Sequence, residues 1–91
     1  YQILVCRQFR IAGRVQGVFF RDSTRAEARR LLLAGHAHNL LSGDVEVRLC
    51  GSVTDIEEMI GWLNTGPPKA IVEQVAEENV ACTHPVGFGV A

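Results

Sequence analysis

Hydrophobic and polar positions divide the chain into elements before any other property is considered. Val45, Val47 and Leu49 alternate with Glu46, Arg48 and Cys50, the period-two pattern of a strand with one buried face. Residues 44–50 therefore read as a strand, and 36–41 as its hairpin partner across Ser42-Gly43. Phe9 and Ile11 carry a similar alternation through 4–12, blurred by Arg7 and Arg10. Ile56, Met59, Ile60 and Leu63 instead share one helical stripe. They predict a helix over 54–64, which Thr54 and Glu57 would open with capping-box spacing. An earlier helix over roughly 23–33 places Ala28, Leu31 and Leu33 inside and Arg25, Arg29 and Arg30 in water, with Asp22 or Ser23 as N-cap and Gly35 as its end. A turn at 65–69, a strand near 70–78, a less regular loop and a short strand at 86–90 complete the chain.

The resulting order is β-α-β-β-α-β with a small extra C-terminal strand. Two helices covering one face of an antiparallel sheet form an α+β, ferredoxin-like sandwich. At 91 residues the expectation is one domain, 1–91. This architecture hosts many activities, so function has to be argued from a site.

Charge and cysteines narrow the field. The formal net charge is −1 and the pI about 6.3, with both signs interleaved, which argues against a nucleic-acid or membrane partner. No apolar run approaches the roughly 20 residues of a membrane span, and no basic-apolar leader opens the chain. Cys6, Cys50 and Cys82 are odd in number and widely spaced, without a CxxC pair, so neither a zinc framework nor a disulfide framework is indicated. The expectation is thiols in a reducing cytoplasm.

The chemistry concentrates in Gly13-Arg14-Val15-Gln16-Gly17-Val18-Phe19-Phe20-Arg21, at the turn from the first strand into the first helix. Its two glycines free the backbone for positive φ and for close approach of a ligand. Converging amides and a helix start then make an anion site from backbone alone. Arg21 would close it with a planar guanidinium suited to bidentate phosphate binding. A tight turn with a surface arginine explains the same spacing equally well.

The string GRVQGVFFR, with Gly35 and Asn39 downstream, closely resembles the acylphosphatase signature. The similarity runs from about Phe9 to Phe88 and includes Gly66-Pro67-Pro68 and Gly87-Phe88. The resemblance implies an enzyme that hydrolyses small acyl phosphates to carboxylate and inorganic phosphate. Arg21 matches the family's phosphate-binding arginine and Asn39 its water-orienting asparagine. Gln16, Gly17, Val18, Phe19 and Phe20 would contribute mainly amides to the phosphate. The leaving group is a carboxylate, so no general acid is required. The work left is positioning and electrostatic stabilisation. Neither cofactor nor metal is implied; the expected partners are the acyl phosphate and inorganic phosphate as product and inhibitor, and the expected state is a monomer.

Three departures from the family stand out. Relatives often carry glycine where Leu32 stands, supplying a left-handed helix end. Leu32 does not adopt that conformation cheaply, so the helix is expected to run further or end differently. Trp or Tyr commonly replaces His36, and Arg, Lys or Gln replaces His38. His36 and His38 share a strand face at i and i+2, but two ligands do not make a metal site and His84 is far along the chain. Two other functions fit less well. An anion-binding domain of a hydrogenase-maturation protein would continue into zinc-finger-like cysteine motifs. A ferredoxin-like RNA-binding module would need a basic, aromatic sheet face.

Overall fold

A computed structural model describes residues 4–17, 19–78, 80 and 88–90. In chain order the elements are β1 (Leu4–Arg14), α1 (Phe20–Arg30), β2 (Ala34–Asn39), β3 (Val45–Ser52), α2 (Val53–Leu63), β4 (Ile71–Glu78) and β5 (Phe88–Val90). The sheet order is β4-β1-β3-β2-β5. The first four strands pair antiparallel, whereas β5 lies parallel to β2, with Phe88 opposite Gly35. The ferredoxin-like arrangement is therefore present, with a parallel strand added at one edge.

The alternation read from β3 sets the layers. Val45, Val47 and Leu49 are fully buried, with Phe9 opposite Val47 and Ile11 opposite Val45 on β1. Ala37 of β2 joins them, and Phe20, Thr24 and Ala28 of α1 with Ile56, Met59 and Leu63 of α2 close the core. Each large side chain among these stabilises by roughly 1.5–3 kcal/mol when taken out of water. Phe20 and Trp62 meet at 6.0 Å between ring centroids, joining the start of α1 to α2. Trp62, partly buried, thus packs against the core.

The helix ends differ from the sequence expectation. Helix α1 begins at Phe20, before Asp22 and Ser23, and its N-cap is Phe19 in the left-handed conformation (φ 59°). The cap of α2 is Ser52 rather than Thr54: its Oγ accepts from the Asp55 amide and donates to the Asp55 carboxylate. The side-chain cap therefore sits two residues earlier than the Thr54–Glu57 expected from the sequence. Helix α1 stops at Arg30 because Leu32 does adopt φ 58°, contrary to expectation. Its amide returns to Arg29 O and that of Leu33 to Ala28 O, a six-to-one closure characteristic of left-handed helix ends. Leu33, buried next to the core, secures the turn while Leu32 itself points into water. Gly35 does not terminate the helix. It lies within β2, where a Cβ would run into the carbonyl oxygen of Arg48 on β3.

Candidate active site

Strand β1 slips register between Ala12 and Gly13 against β4, and Gly13 turns the chain where a Cβ would strike the carbonyl oxygen of Ile71. The segment that follows is anchored at three places. Val15 is buried in the core, as is Phe20 at the other end. Between them the Gln16 amide group reaches across to the β2–β3 hairpin. Its Nε2 donates to Leu40 O at 2.9 Å and to Asp44 O at 3.0 Å. The loop is thereby fixed to the strand end that carries Asn39.

Val15, Gly17, Phe19, Phe20, Arg21, Asp22 and Asn39 line an open cleft of about 260 Å³. Gly17 (φ 75°) and Phe19 (φ 59°), both in its lining, turn the backbone through the left-handed region. The N-cap Phe19 offers no side-chain hydrogen bond to α1, and among the described residues no side chain takes its place, so the amides of the first turn retain their donor capacity at the positive end of the helix. Among the described residues, Arg21 has no carboxylate or hydrogen-bond partner, unlike Arg7, Arg10, Arg25 and Arg30, each of which has an acidic neighbour. A planar cation, helix-start amides and the Asn39 carboxamide thus face one space. Such a space suits a tetrahedral anion and a water beside it.

Of the residues singled out from sequence, Gly17, Phe19, Phe20, Arg21 and Asn39 are brought together here. Val18 lies outside the described residues. Gln16 does not line the cleft; its side chain is the tie to the hairpin. The Phe20 ring belongs to the core, leaving its amide for the cleft, whereas Phe19 is 75% exposed at the rim. Asp22 was the unexpected member: it lines the cleft from the first turn of α1, 3.8 Å from Arg25. Its position was legible once the helix is known to begin three residues earlier.

His36 and His38 do share a strand face, stacked at 4.2 Å between ring centroids. The β2–β3 register sets Glu46 opposite His38, and Glu46 Oε2 lies 3.2 Å from His36 Nε2. Burial pushes the His36 imidazole below the ordinary histidine range, and His38 and Arg48 add to this against the opposing pull of Glu46. None of the three lines the cleft.

The fold is a ferredoxin-like sandwich that sets a left-handed loop, a helix start and an arginine around one cleft. The comparisons make the class specific. The acylphosphatase family model matches residues 7–90. An acylphosphatase of Colwellia psychrerythraea strain 34H is 50% identical over 70 residues, covering 77% of this chain and 79% of that one. That of Vibrio vulnificus strain CMCP6 is 43% identical over 83 residues, covering 91% and 92%. The structure of an acylphosphatase from Coxiella burnetii superposes with a TM-score of 0.91 at 40% identity, covering 97% of this chain and 93% of that one. Full-length HypF, in a phosphate- and nucleotide-bound form, also gives 0.91, at 27% identity, but this chain corresponds to only 12% of it. The chain belongs to the acylphosphatase family, and its named enzymes are hydrolases of acid anhydrides.

Proposed function

We propose that this chain hydrolyses the carboxyl–phosphate bond of small acyl phosphates, releasing a carboxylate and inorganic phosphate, in the cytoplasm, as a monomer and without a metal. The phosphate sits against the amides of 17–20 and the start of α1, and Arg21 binds two of its oxygens. Asn39 accepts a hydrogen bond from the attacking water through its side-chain carbonyl oxygen and directs the water oxygen onto phosphorus, in line with the carboxylate. The phosphorus–oxygen bond to the acyl group breaks as the bond to water forms. The water's proton passes to the departing carboxylate or to solvent. A carboxylate leaves readily without protonation, so the reaction requires charge neutralisation and alignment rather than a strong acid or a Lewis acid.

The observation that supports this most is the convergence of the uncapped α1 start, Arg21 and Asn39 on one cleft. The same convergence makes inorganic phosphate a competitive inhibitor as well as a product. The HypF likeness supports a second reading, in which the fold binds an anion as one part of a longer protein. The match of bacterial acylphosphatases over nine-tenths of both chains favours the first. Incubation with a small acyl phosphate in excess chelator tests it: the mixed anhydride should be consumed with release of one phosphate per carboxylate. No hydrolysis, or hydrolysis only on adding a divalent ion, would contradict the proposal.

A further inference from the structure

The cluster on β2 and β3 has a donor set that the hydrolysis does not use. His36, His38 and Glu46 each present one ligand atom, and the three atoms all lie within 4.8 Å of one another. In a tetrahedral zinc site, with bonds of about 2.0–2.1 Å, neighbouring ligand atoms stand about 3.3 Å apart. The His36–Glu46 pair, at 3.2 Å, already matches that edge. The His38 ligand atom lies within 4.8 Å of both, and turning its ring out of the stack with His36 brings it to the same separation with its lone pair toward the ion. Neighbours hold the set in place. Gln8 Nε2 donates to Glu46 Oε1 at 3.1 Å, which leaves Oε2 toward His36. Arg10, opposite Glu46 on β1, is turned to Asp44 and Glu78 instead. Arg48, opposite His36, donates its Nε to Gln8 Oε1 at 3.2 Å. An oriented carboxylate beside two imidazoles is the arrangement in which outer partners strengthen a metal site.

We propose that His36, His38 and Glu46 bind one divalent transition-metal ion per chain, with zinc the ion their two nitrogens and one oxygen suit. The metal takes the place of the proton now shared between His36 and Glu46, and solvent completes its coordination. It bridges β2 to β3 on the sheet face away from the helices and stabilises that pairing by mass action. It has no part in the phosphate chemistry.

Titration of the full chain with Zn²⁺ by calorimetry, without substrate, tests the site independently of the reaction. One saturable equivalent and a rise in Tm are expected. His38→Ala and Glu46→Gln should each weaken binding by about tenfold or more and lose most of the Tm rise. His84→Ala should leave both unchanged. Folding of each variant is checked by its Tm before metal is added. Should a variant fail that check, Cu²⁺ on the unaltered chain replaces it: its electron-spin spectrum should show two equivalent-type nitrogen donors. No saturable Zn²⁺ binding, binding unaffected by His38→Ala and Glu46→Gln, loss on His84→Ala, or a copper spectrum without nitrogen donors would each overturn the proposal.

Discussion

Replacing Gln16 with alanine tests whether the phosphate loop works because it is tied to the strand carrying Asn39. The side chain makes two hydrogen bonds, to Leu40 O and Asp44 O. Net contributions of about 0.5–1.5 kcal/mol each give a range of about 1–3 kcal/mol. Both carbonyls keep a second donor: the Leu40 amide bonds Asp44 O at 2.8 Å and the Gly43 amide bonds Leu40 O at 3.1 Å. Neither oxygen is orphaned, so the loss should fall in the lower part of the range, about 1–2 kcal/mol. For a chain of this size that lowers Tm by roughly 5–15 °C. The catalytic effect has a different source. Loop and hairpin keep their own structure but lose their mutual position, and a displacement of about 1 Å between water and phosphate is worth on the order of 10²-fold in rate. Gln16→Ala should therefore lower kcat by about 10- to 100-fold while changing phosphate inhibition by less than about threefold, since the amides and Arg21 stay on one segment. Gln16→Glu should do worse on both counts, because a carboxylate has no proton for either carbonyl. Steady-state kinetics with an acyl phosphate and thermal unfolding measure the two effects. A Gln16→Ala variant with unaltered kcat and Tm would refute the reasoning.

Two further outcomes follow from single positions. Arg21→Lys keeps the charge but loses the planar fork, so activity should fall by on the order of 10²-fold or more with the fold intact, as checked by kinetics and circular dichroism. Leu32→Gly removes a left-handed leucine whose side chain is 89% exposed and buries nothing. Urea unfolding should show a gain of about 0.5–1 kcal/mol, the left-handed penalty less the added backbone entropy of glycine.

Elements whose polarity repeats were legible without coordinates; those set by backbone geometry were less so. Val45, Val47 and Leu49 placed β3 and its buried face, and Ile56, Met59 and Leu63 did the same for α2, because burial leaves a periodic trace. Helix α1 was expected three residues late, since side-chain caps are readable and Phe19 caps by conformation alone. Leu32 misled for a related reason: Leu33 holds the helix end through packing, which outweighs the local cost at its neighbour. Arg21 and Asn39 were legible through their resemblance to the family, and the cleft brings them together. The tie made by Gln16 and the partnership of Glu46 with His36 and His38 were not, because both depend on register across the β2–β3 hairpin. A shift of one residue would send Glu46 to the other face.

The central claim is a division of labour, with Arg21 on the phosphate and Asn39 on the water. It is tested most directly by comparing Asn39→Ala with Arg21→Ala, both shown to be folded, in acyl phosphate hydrolysis and in inhibition by inorganic phosphate. Loss of one preorganised hydrogen-bonding group should lower kcat by roughly 10²–10³, about 3–4 kcal/mol, in Asn39→Ala. Phosphate inhibition should stay close to that of the unaltered chain in this variant, whereas Arg21→Ala should lose both turnover and inhibition. Hydrolysis by folded Asn39→Ala at close to the unaltered rate would contradict the account.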